Sequence, residues 1–447
     1  MKGTVYVVHC IDTEGPLYED KNVVFDQIKR IFGVDINNTE KNYYDLYNGK
    51  MDLGENTEGI TTLVRSLGIT TKGNWAEIEQ MLNEITSHEY RHILEDSKGK
   101  GWIYSWFCMD HVGFAGENPR RRDAGYHRVF DVYKKLIETH TKDIVQFHHH
   151  PVSISGNFHD SGTRYWGEKT LNEILCRRII DRKWFPCVYR PGFHTERPDS
   201  HWFLEQWIPF DYGNQATASD DSEQIDMMNG RFGNWKNAPR EWVPYHPSHD
   251  NYQLKGNCRR WITRCLNMKA RIREITEEDI EEAFKEAGEG RNVILAFTDH
   301  DYKDMKIEIT RVRELIKKVS ERYHDVPFEY KDALEAMRIV LNLQKEKSYL
   351  KAQIDKEHFP PRLIIECEEK IFGPQPFLAI KTKDDKYYWD NFDFIEEKKW
   401  SYTFDNNTIE LEKIEEIGVA TNTASGVTEI INYSCKDQIF DYTCLNY

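Results

Sequence analysis

Short apolar, β-branched runs alternate with helix-like segments from residue 1 to about residue 330, and this alternation constrains the fold most. The runs have strand length and composition, whereas the intervening segments have helical length and periodicity. Strands separated by helices form a parallel sheet, because a parallel connection needs a long crossover. The predicted strands are Val5–Ile11, Trp102–Phe107, Ile144–His148, Cys187–Tyr189 and Val293–Phe297. The predicted helices include Val23–Phe32, Asn74–Ile85, Gly125–His140, Lys169–Arg182 and Glu277–Ala287.

The character of the sequence changes after residue 330. Lys331–Ile354 has the spacing of a charged amphipathic helix, and a Pro360-Pro361 break follows it. Beyond the break, short β-forming runs are separated by turn signals such as Gly373-Pro374. We therefore predict three parts: an α/β unit in residues 1–330, a linking helix in residues 331–357 and a small antiparallel β domain, most simply a sandwich, in residues 358–447.

Composition excludes several classes of function. The formal net charge of −15 argues against nucleic acid as a partner, because phosphate binding needs a clustered basic face. The one dense basic run, Arg120-Arg121-Arg122, is predicted to be a solvated loop. The nine cysteines are scattered without a CxxC pair, which is typical of a reducing compartment. No apolar run has the length of a signal peptide or a membrane-spanning helix, so we expect a cytoplasmic protein without a transmembrane segment.

Two carboxylates follow the first predicted strand. Asp12 comes after a mostly apolar run, and Glu14 stands two positions later, before Gly15-Pro16. Because side chains alternate faces along a strand, the two acids are expected on one side. A charge at the end of a buried strand requires a partner. The sequence therefore favours a functional role of the two acids and simple capping of the turn about equally.

Three consecutive histidines end another predicted strand, in the stretch Asp143–Pro151. His148 and His150 share a face and can reach one ion through their ring nitrogens, whereas His149 points the opposite way. A ligand pair with wider spacing, using His159 instead, is the alternative.

Glu14, His148 and His150 together would form a catalytic rather than a structural metal site, because three protein ligands leave coordination positions open. Asp12 is then free to act as a base on the attacking water. Zinc suits two imidazoles and one carboxylate best, with another divalent first-row metal as the alternative.

This arrangement resembles the polysaccharide deacetylase (NodB-homology) family of metal-dependent carbohydrate N- and O-deacetylases. IDTEGP looks like the family's first motif, which holds a base and a metal-binding acid, in the branch with one residue between the acids. FHHHP looks like the second motif, in the branch with alternate histidines before Pro. The resemblance covers residues 1–320 and implies an α/β fold: a distorted (β/α)7, TIM-like barrel, with the C-terminal all-β, sandwich-like domain outside the family core.

The segment Tyr189–Phe193, with the sequence YRPGF, looks like the third motif of the family. The resemblance implies that Arg190 orients Asp12 and that Gly192 and Phe193 line the substrate groove. A bidentate pair between Arg190 and Asp12 would also lower the pKa of the carboxyl group.

The segment NVILAFTDHD looks like the fifth motif, which implies that His300 is the general acid. Asp299 or Asp301 would raise the pKa of His300 by charge attraction, or would cap a helix beginning near Tyr302. The fourth region is expected in the stretch from Phe210 onward, where the candidate substrate-binding residues are Asp211 and Tyr212, with Trp235, Trp242 and Tyr245 as weaker sugar-stacking candidates.

The resemblance implies a metal-dependent hydrolase that removes an N-acetyl or N-acyl group from a sugar in a surface-polysaccharide or glycan precursor. The expected partner is an acetylated saccharide or a sugar-linked carrier, and the sequence leaves a homo-oligomer open. Two alternatives remain: a catalytically inactive glycan-binding or scaffold protein, and an amidohydrolase or deformylase acting on a non-sugar amide. Metal content and turnover of acetylated sugars test the first alternative, and small acyl amides test the second.

Overall fold

Seven parallel strands close into a β-barrel in the computed structural model of the chain, which describes residues 2–16, 21–67, 72–111, 127–151, 153–154, 162–217, 233–269 and 274–445. The barrel strands are β1 (Val5–Thr13), β2 (Tyr104–His111), β3 (Ile144–His150), β4 (Val188–Pro191), β5 (Phe210–Asn214), β6 (Trp261–Asn267) and β7 (Val293–His300). They neighbour one another in chain order, and β1 pairs with both β2 and β7 to close the ring. A short strand, β8 (Phe328–Tyr330), pairs with the beginning of β1.

Helices connect the strands, and several of them pack on the outside of the barrel. They are α1 (Lys21–Phe32), α2 (Glu40–Tyr47), α3 (Thr57–Leu67), α4 (Trp75–Ile85), α5 (His88–Arg91), α6 (Arg128–Thr139), α7 (Lys169–Arg182), α8 (Pro198–Trp207), α9 (Glu277–Gly288), α10 (Met305–Arg322) and α11 (Ala333–Val340). Helix α9 begins with a capping box, in which Thr276 and Asp279 satisfy each other's backbone N–H groups. Helices α1, α2 and α3 form a separate small core between β1 and β2 in the chain.

The alternation of side chains along each barrel strand decides which residues face the interior. In β1, Val5, Val7 and Ile11 pack against the outer helices, whereas Val8 and Cys10 belong to the interior core. Helix α11 contributes Leu334 and Met337 to this interior core, opposite the carboxyl ends of the strands. Strands buried on both faces read as nearly continuous apolar runs, which is why β1 is recognisable in the sequence.

Two antiparallel sheets follow the barrel, as predicted for the C-terminal part. The nine strands are β9 (Lys351–Asp355), β10 (Arg362–Glu366), β11 (Phe377–Thr382), β12 (Tyr387–Asp390), β13 (Asp393–Glu396), β14 (Lys399–Thr403), β15 (Ile414–Asn422), β16 (Thr428–Ser434) and β17 (Ile439–Leu445). One sheet has the order β13-β14-β10-β9 and the other the order β12-β11-β15-β16-β17. Buried residues of both sheets share one hydrophobic core, for example Ile365 of the first sheet and Ile417 of the second.

The five-stranded sheet packs directly against the barrel. Its strands β11, β12 and β15 contact α7. Phe377 stacks near Phe185 and Trp207 of the barrel unit, with ring centroids 5.5 and 5.2 Å apart. The side-chain amide of Asn422 donates to the carbonyl oxygens of Pro186 and Trp207 at 2.7 and 2.8 Å. The apolar core is therefore continuous between the two units.

The predicted linking helix is wrong in its length. Helix α11 ends at Val340, Asn342 adopts a left-handed φ of 52°, and residues 351–355 form strand β9 instead. The connecting segment is held by the buried carboxylate of Glu429, which accepts the backbone N–H groups of Ser348 and Tyr349 at 2.5 and 3.1 Å. This tertiary interaction outweighs the helical spacing of the sequence, and a left-handed Asn is a common helix terminator.

Two predictions fall outside the residues that the structure describes: the basic run Arg120–Arg122 and the alternative ligand His159. The nine cysteines are free. Within the described ranges, none of the helices combines the length and the apolar composition needed to cross a bilayer.

Candidate metal centre

Three predicted ligands meet at the carboxyl end of the barrel strands. The ligand atoms of Glu14, His148 and His150 all lie within 4.8 Å of one another. The Nε2 atoms of His148 and His150 are 2.9 Å apart, and Nε2 of His150 is 3.6 Å from Oε1 of Glu14. Ligand atoms about 2.0–2.1 Å from a tetrahedral ion would be roughly 3.3 Å apart, so the three side chains fit one divalent cation.

The hydrogen bonding of His148 determines which of its nitrogens faces this centre. Nδ1 lies 3.0 Å from the backbone carbonyl oxygen of Arg190, which can only accept, so Nδ1 carries the proton and Nε2 presents its lone pair. Burial lowers the pKa of His148 to about 3. The imidazole is therefore neutral near pH 7, and the neutral form is the one that binds a metal.

The His150 ring is supported by the turn after β4. A Cβ atom at Gly192 would lie 2.5 Å from Cγ of His150 and 2.7 Å from the carbonyl oxygen of His149, so this position requires glycine. The Phe193 ring meets the His150 ring edge-on, with centroids 4.7 Å apart. Gly192 and Phe193, predicted to line a substrate groove, thus lie directly beside a candidate ligand.

Asp12 forms a buried, bidentate pair with Arg190. Nε of Arg190 donates to Oδ1 at 2.7 Å and Nη2 donates to Oδ2 at 3.0 Å, while Nη1 donates to the carbonyl oxygen of Tyr212 at 2.7 Å. Burial by itself raises the pKa of Asp12, but the positive charge of Arg190 and its hydrogen bonds outweigh this effect and hold that pKa well below its ordinary value. Asp12 is therefore ionised at neutral pH, beside the ligand set.

His300 lies at the end of β7, near both Asp12 and Glu14. It is the register partner of Asp12 on β7, and its Nε2 lies 4.0 Å from Oδ2 of Asp12 and 3.9 Å from Oε1 of Glu14. Burial, followed by the charge of Lys303, lowers the pKa of His300 well below its ordinary value. The expectation that a neighbouring aspartate raises this pKa is wrong, because Asp299 accepts the backbone N–H of His300 instead.

Asp301 has a role that the sequence did not reveal. Its Oδ1 accepts the backbone N–H of Glu14 at 2.8 Å, and its Oδ2 accepts the backbone N–H of Gly15 at 3.0 Å and the hydroxyl of Tyr133 at 2.7 Å. Asp301 therefore fixes the loop that carries Glu14, whereas Asp304 caps the next helix. An acid at the end of β7 was visible in the sequence, but the pairing of β7 with β1 was not.

Asp211 and Tyr212, predicted to bind substrate, are not available to a ligand. Both are fully buried. Asp211 pairs with Arg260 at 3.3 Å, and the hydroxyl of Tyr212 donates to the carbonyl oxygen of Ala333 at 2.6 Å. Both side chains are thus held inside the protein by internal contacts, and this prediction is corrected. The aromatic candidates Trp235, Trp242 and Tyr245 are also buried.

The geometry combines an open, three-ligand cation site with an ionised carboxylate and a neutral imidazole, all at one end of a barrel. Such an arrangement can bind a divalent ion and exchange protons beside it. No protein-family model, no curated protein and no solved structure matches the chain. What the site does is therefore inferred from its own atoms.

Proposed function

We propose that the chain is a metal-dependent hydrolase that removes an N-acetyl or N-acyl group from a sugar. The observation that carries the proposal is the bidentate Arg190–Asp12 pair beside the ligand set of Glu14, His148 and His150. A structural metal site does not need an ionised acid beside its open coordination positions, whereas a hydrolytic site needs one as the base. The closed parallel barrel is compatible with the distorted (β/α)7 architecture of the polysaccharide deacetylase family, which the motifs resemble.

Zinc is the proposed ion, because two imidazoles and one carboxylate suit it best. When bound, it would polarise the acyl oxygen and acidify the attacking water, which allows a carboxylate as weakly basic as Asp12 to act as the base.

Asp12 accepts the proton of the attacking water in this mechanism. Arg190 keeps Asp12 ionised and fixes the direction of both carboxylate oxygens, since two parallel N–H···O bonds restrict its rotation. Only interactions that improve toward the transition state accelerate the reaction, so this preorganisation is the contribution of Arg190.

His300 protonates the leaving amine. Its imidazole is neutral before the reaction and first gains the proton that Asp12 took from the water, across the 4.0 Å between Oδ2 of Asp12 and Nε2 of His300. The carboxylates of Asp12 and Glu14, 4.0 and 3.9 Å from Nε2, stabilise the imidazolium that then forms. The leaving nitrogen takes its proton from this imidazolium.

The test uses the full-length protein, stripped with a chelator and reloaded with one equivalent of Zn²⁺. Acetate release from N,N′-diacetylchitobiose should depend on the ion, should fall by at least about 100-fold in Asp12→Asn, and should exceed the rate on small acyl amides. Asp12→Asn should still bind Zn²⁺, because Asp12 is outside the ligand set. Full activity of Asp12→Asn, or preference for the small amides, would contradict the proposal.

A further inference from the structure

His194 follows the turn that supports the ligand His150, and its backbone is strained. Phe193 and His194 adopt left-handed φ values of 52° and 51° in succession. Residues with a Cβ rarely adopt this conformation, and they hold it only where the surroundings impose it.

A second segment of the chain imposes this left-handed conformation on His194. The indole N–H of Trp235 donates to the carbonyl oxygen of His194 at 2.9 Å, and the backbone N–H of Gly233 donates to that of Phe193 at 3.0 Å. A Cβ atom at Gly233 would lie 1.9 Å from the carbonyl oxygen of His194, so the close approach requires glycine. Two carbonyl groups in a strained turn are thus held by residues about 40 positions away in the chain.

The result of this strain is the placement of the His194 ring against Arg190. Nδ1 of His194 lies 3.4 Å from Nη2 of Arg190, the same nitrogen that donates to Asp12, and Nε2 lies 3.2 Å from Oδ1 of Asn267. Burial and the charge of Arg190 lower the pKa of His194 to about 3, so the ring is neutral. Because Arg190 can only donate, Nδ1 accepts and the Nε2 proton is donated to Asn267.

The polar chain continues beyond His194. The amide of Asn267 donates to Oε1 of Gln215 at 3.2 Å, and the amide of Gln215 donates to the carbonyl oxygen of Cys265. Nη1 of Arg190 lies 3.2 Å from Sγ of Cys265. The guanidinium of Arg190 therefore contacts His194 through Nη2 and contacts Cys265 and the carbonyl oxygen of Tyr212 through Nη1, in addition to its two bonds to Asp12.

We propose that His194 is a positioning residue for the base: it orients Arg190, and Arg190 in turn orients Asp12. This inference rests on the proposed hydrolase function, because it assigns His194 a role in that reaction. The side chain of His194 forms its hydrogen bonds with Arg190 and Asn267, neither of which is a candidate ligand. Its loss is therefore expected to affect kcat without affecting the binding of the metal.

Two variants separate positioning from simple space filling. His194→Leu fills the space but removes the acceptor, whereas His194→Asn retains a polar atom near the position of Nδ1. The matched control is His201→Leu, because Nδ1 of His201 lies 2.6 Å from Nη1 of Arg260 in a buried network that does not include Asp12.

The experiment measures Zn²⁺ affinity, acetate release from N,N′-diacetylchitobiose and the crystal structure of each full-length variant. His194→Leu should bind Zn²⁺ like the wild type and should lower kcat about 10- to 100-fold with an unchanged KM, the range seen when a supporting group is lost. His194→Asn should recover most of kcat, and the control should behave like the wild type. Unchanged kcat in His194→Leu, or equal losses in both His194 variants, would overturn the inference.

The structural measurement keeps this inference separate from the proposed function. If the wild-type protein releases no acetate, the hydrolase proposal fails on its own. The crystal structure of His194→Leu then decides whether His194 positions Arg190. Rotation of Arg190 that breaks one of its two bonds to Asp12 supports the inference, and an intact bidentate pair refutes it.

Discussion

Replacing Arg190 with methionine tests whether the buried pair with Asp12 organises this end of the barrel. Arg190 is 0% exposed and Asp12 is 1% exposed, so neither charge can be hydrated when its partner is removed. Methionine fills a similar volume without a charge or a donor. Arg190→Met therefore leaves the carboxylate of Asp12 buried and the carbonyl oxygen of Tyr212 without this donor.

The magnitude follows from the contacts that are lost. A hydrogen bond to a charged group contributes about 1.5–3 kcal/mol, and Arg190 makes two with Asp12. Removing one partner of a buried ion pair costs about 3–5 kcal/mol. We therefore expect the free energy of unfolding to fall by about 4 kcal/mol in Arg190→Met. In the double variant with Asp12→Asn, no charge remains uncompensated, so the combined loss should be about 2 kcal/mol less than the sum of the single losses.

Urea unfolding of the metal-free proteins at pH 7, followed by tryptophan fluorescence, provides the four free energies of the cycle. Chelator in every sample excludes a contribution from metal binding. A loss below about 1 kcal/mol in Arg190→Met, the level of an exposed ion pair, would refute the reasoning. So would strictly additive losses in the double variant, because they would mean that the two side chains do not interact.

The remaining predictions concern the support of the candidate ligand set and one partly buried helix cap. Gly192→Ala should lower the affinity for Zn²⁺ about 10- to 100-fold in a chelator competition titration, because its Cβ would displace the His150 ring. In the same titration, Asp301→Asn should weaken Zn²⁺ binding by about as much. An amide has only one acceptor oxygen, so one of the two backbone N–H groups in the Glu14 loop would lose its acceptor. Burial raises the pKa of Asp332 from 3.8 to about 6, so its protonated form favours the fold and this contribution disappears as the pH rises through about 6. The stability of the wild type relative to Asp332→Asn, measured by urea unfolding, should therefore fall by up to about 3 kcal/mol between pH 4 and pH 7.

The controls for these variants come from the same chain. Gly167→Ala adds a Cβ that meets no atom within 4 Å, and Asp304→Asn keeps an acceptor at the N-cap of α10. Both should leave Zn²⁺ affinity within about twofold of the wild type. Affinities as low as those of Gly192→Ala or Asp301→Asn in these controls would show that the effects are not specific. A stability difference at Asp332 that does not vary with pH would contradict the last prediction.

Local patterns predicted several of the elements and the side chains of the candidate metal centre. Strand β3 was predicted from its apolar run, and the alternate spacing of His148 and His150 placed both rings on the inner face. Helix α7 was predicted with its observed ends, Lys169 and Arg182. These features depend on periodicities within one segment, which the sequence displays directly.

The resemblance implied the pair of Arg190 and Asp12, which joins two distant segments, but other contacts of this kind were missed. The sequence marked Asp211 as polar and near a strand end, but it did not show that burial and Glu196 would raise the pKa of Asp211 or that Arg260 would contact it inside the protein. It showed Asp301 beside His300, but not that the carboxylate would turn to the backbone of Glu14. Burial and partner choice are decided by neighbouring strands, and strand neighbours far apart in the chain leave no periodic signal.

The amino-acid sequence by itself determined that a carboxylate and two imidazoles would lie at the ends of buried strands, because the side-chain direction follows from the two-residue repeat of each strand. Only the tertiary structure decided that these strand ends would meet, that Arg190 would pair with Asp12, and that the strained His194 would lie against Arg190. The first two contacts arise from the closure of seven strands into a ring, which sets the register between segments that are separated by more than a hundred residues. The third depends on Gly233 and Trp235, which hold the turn of His194.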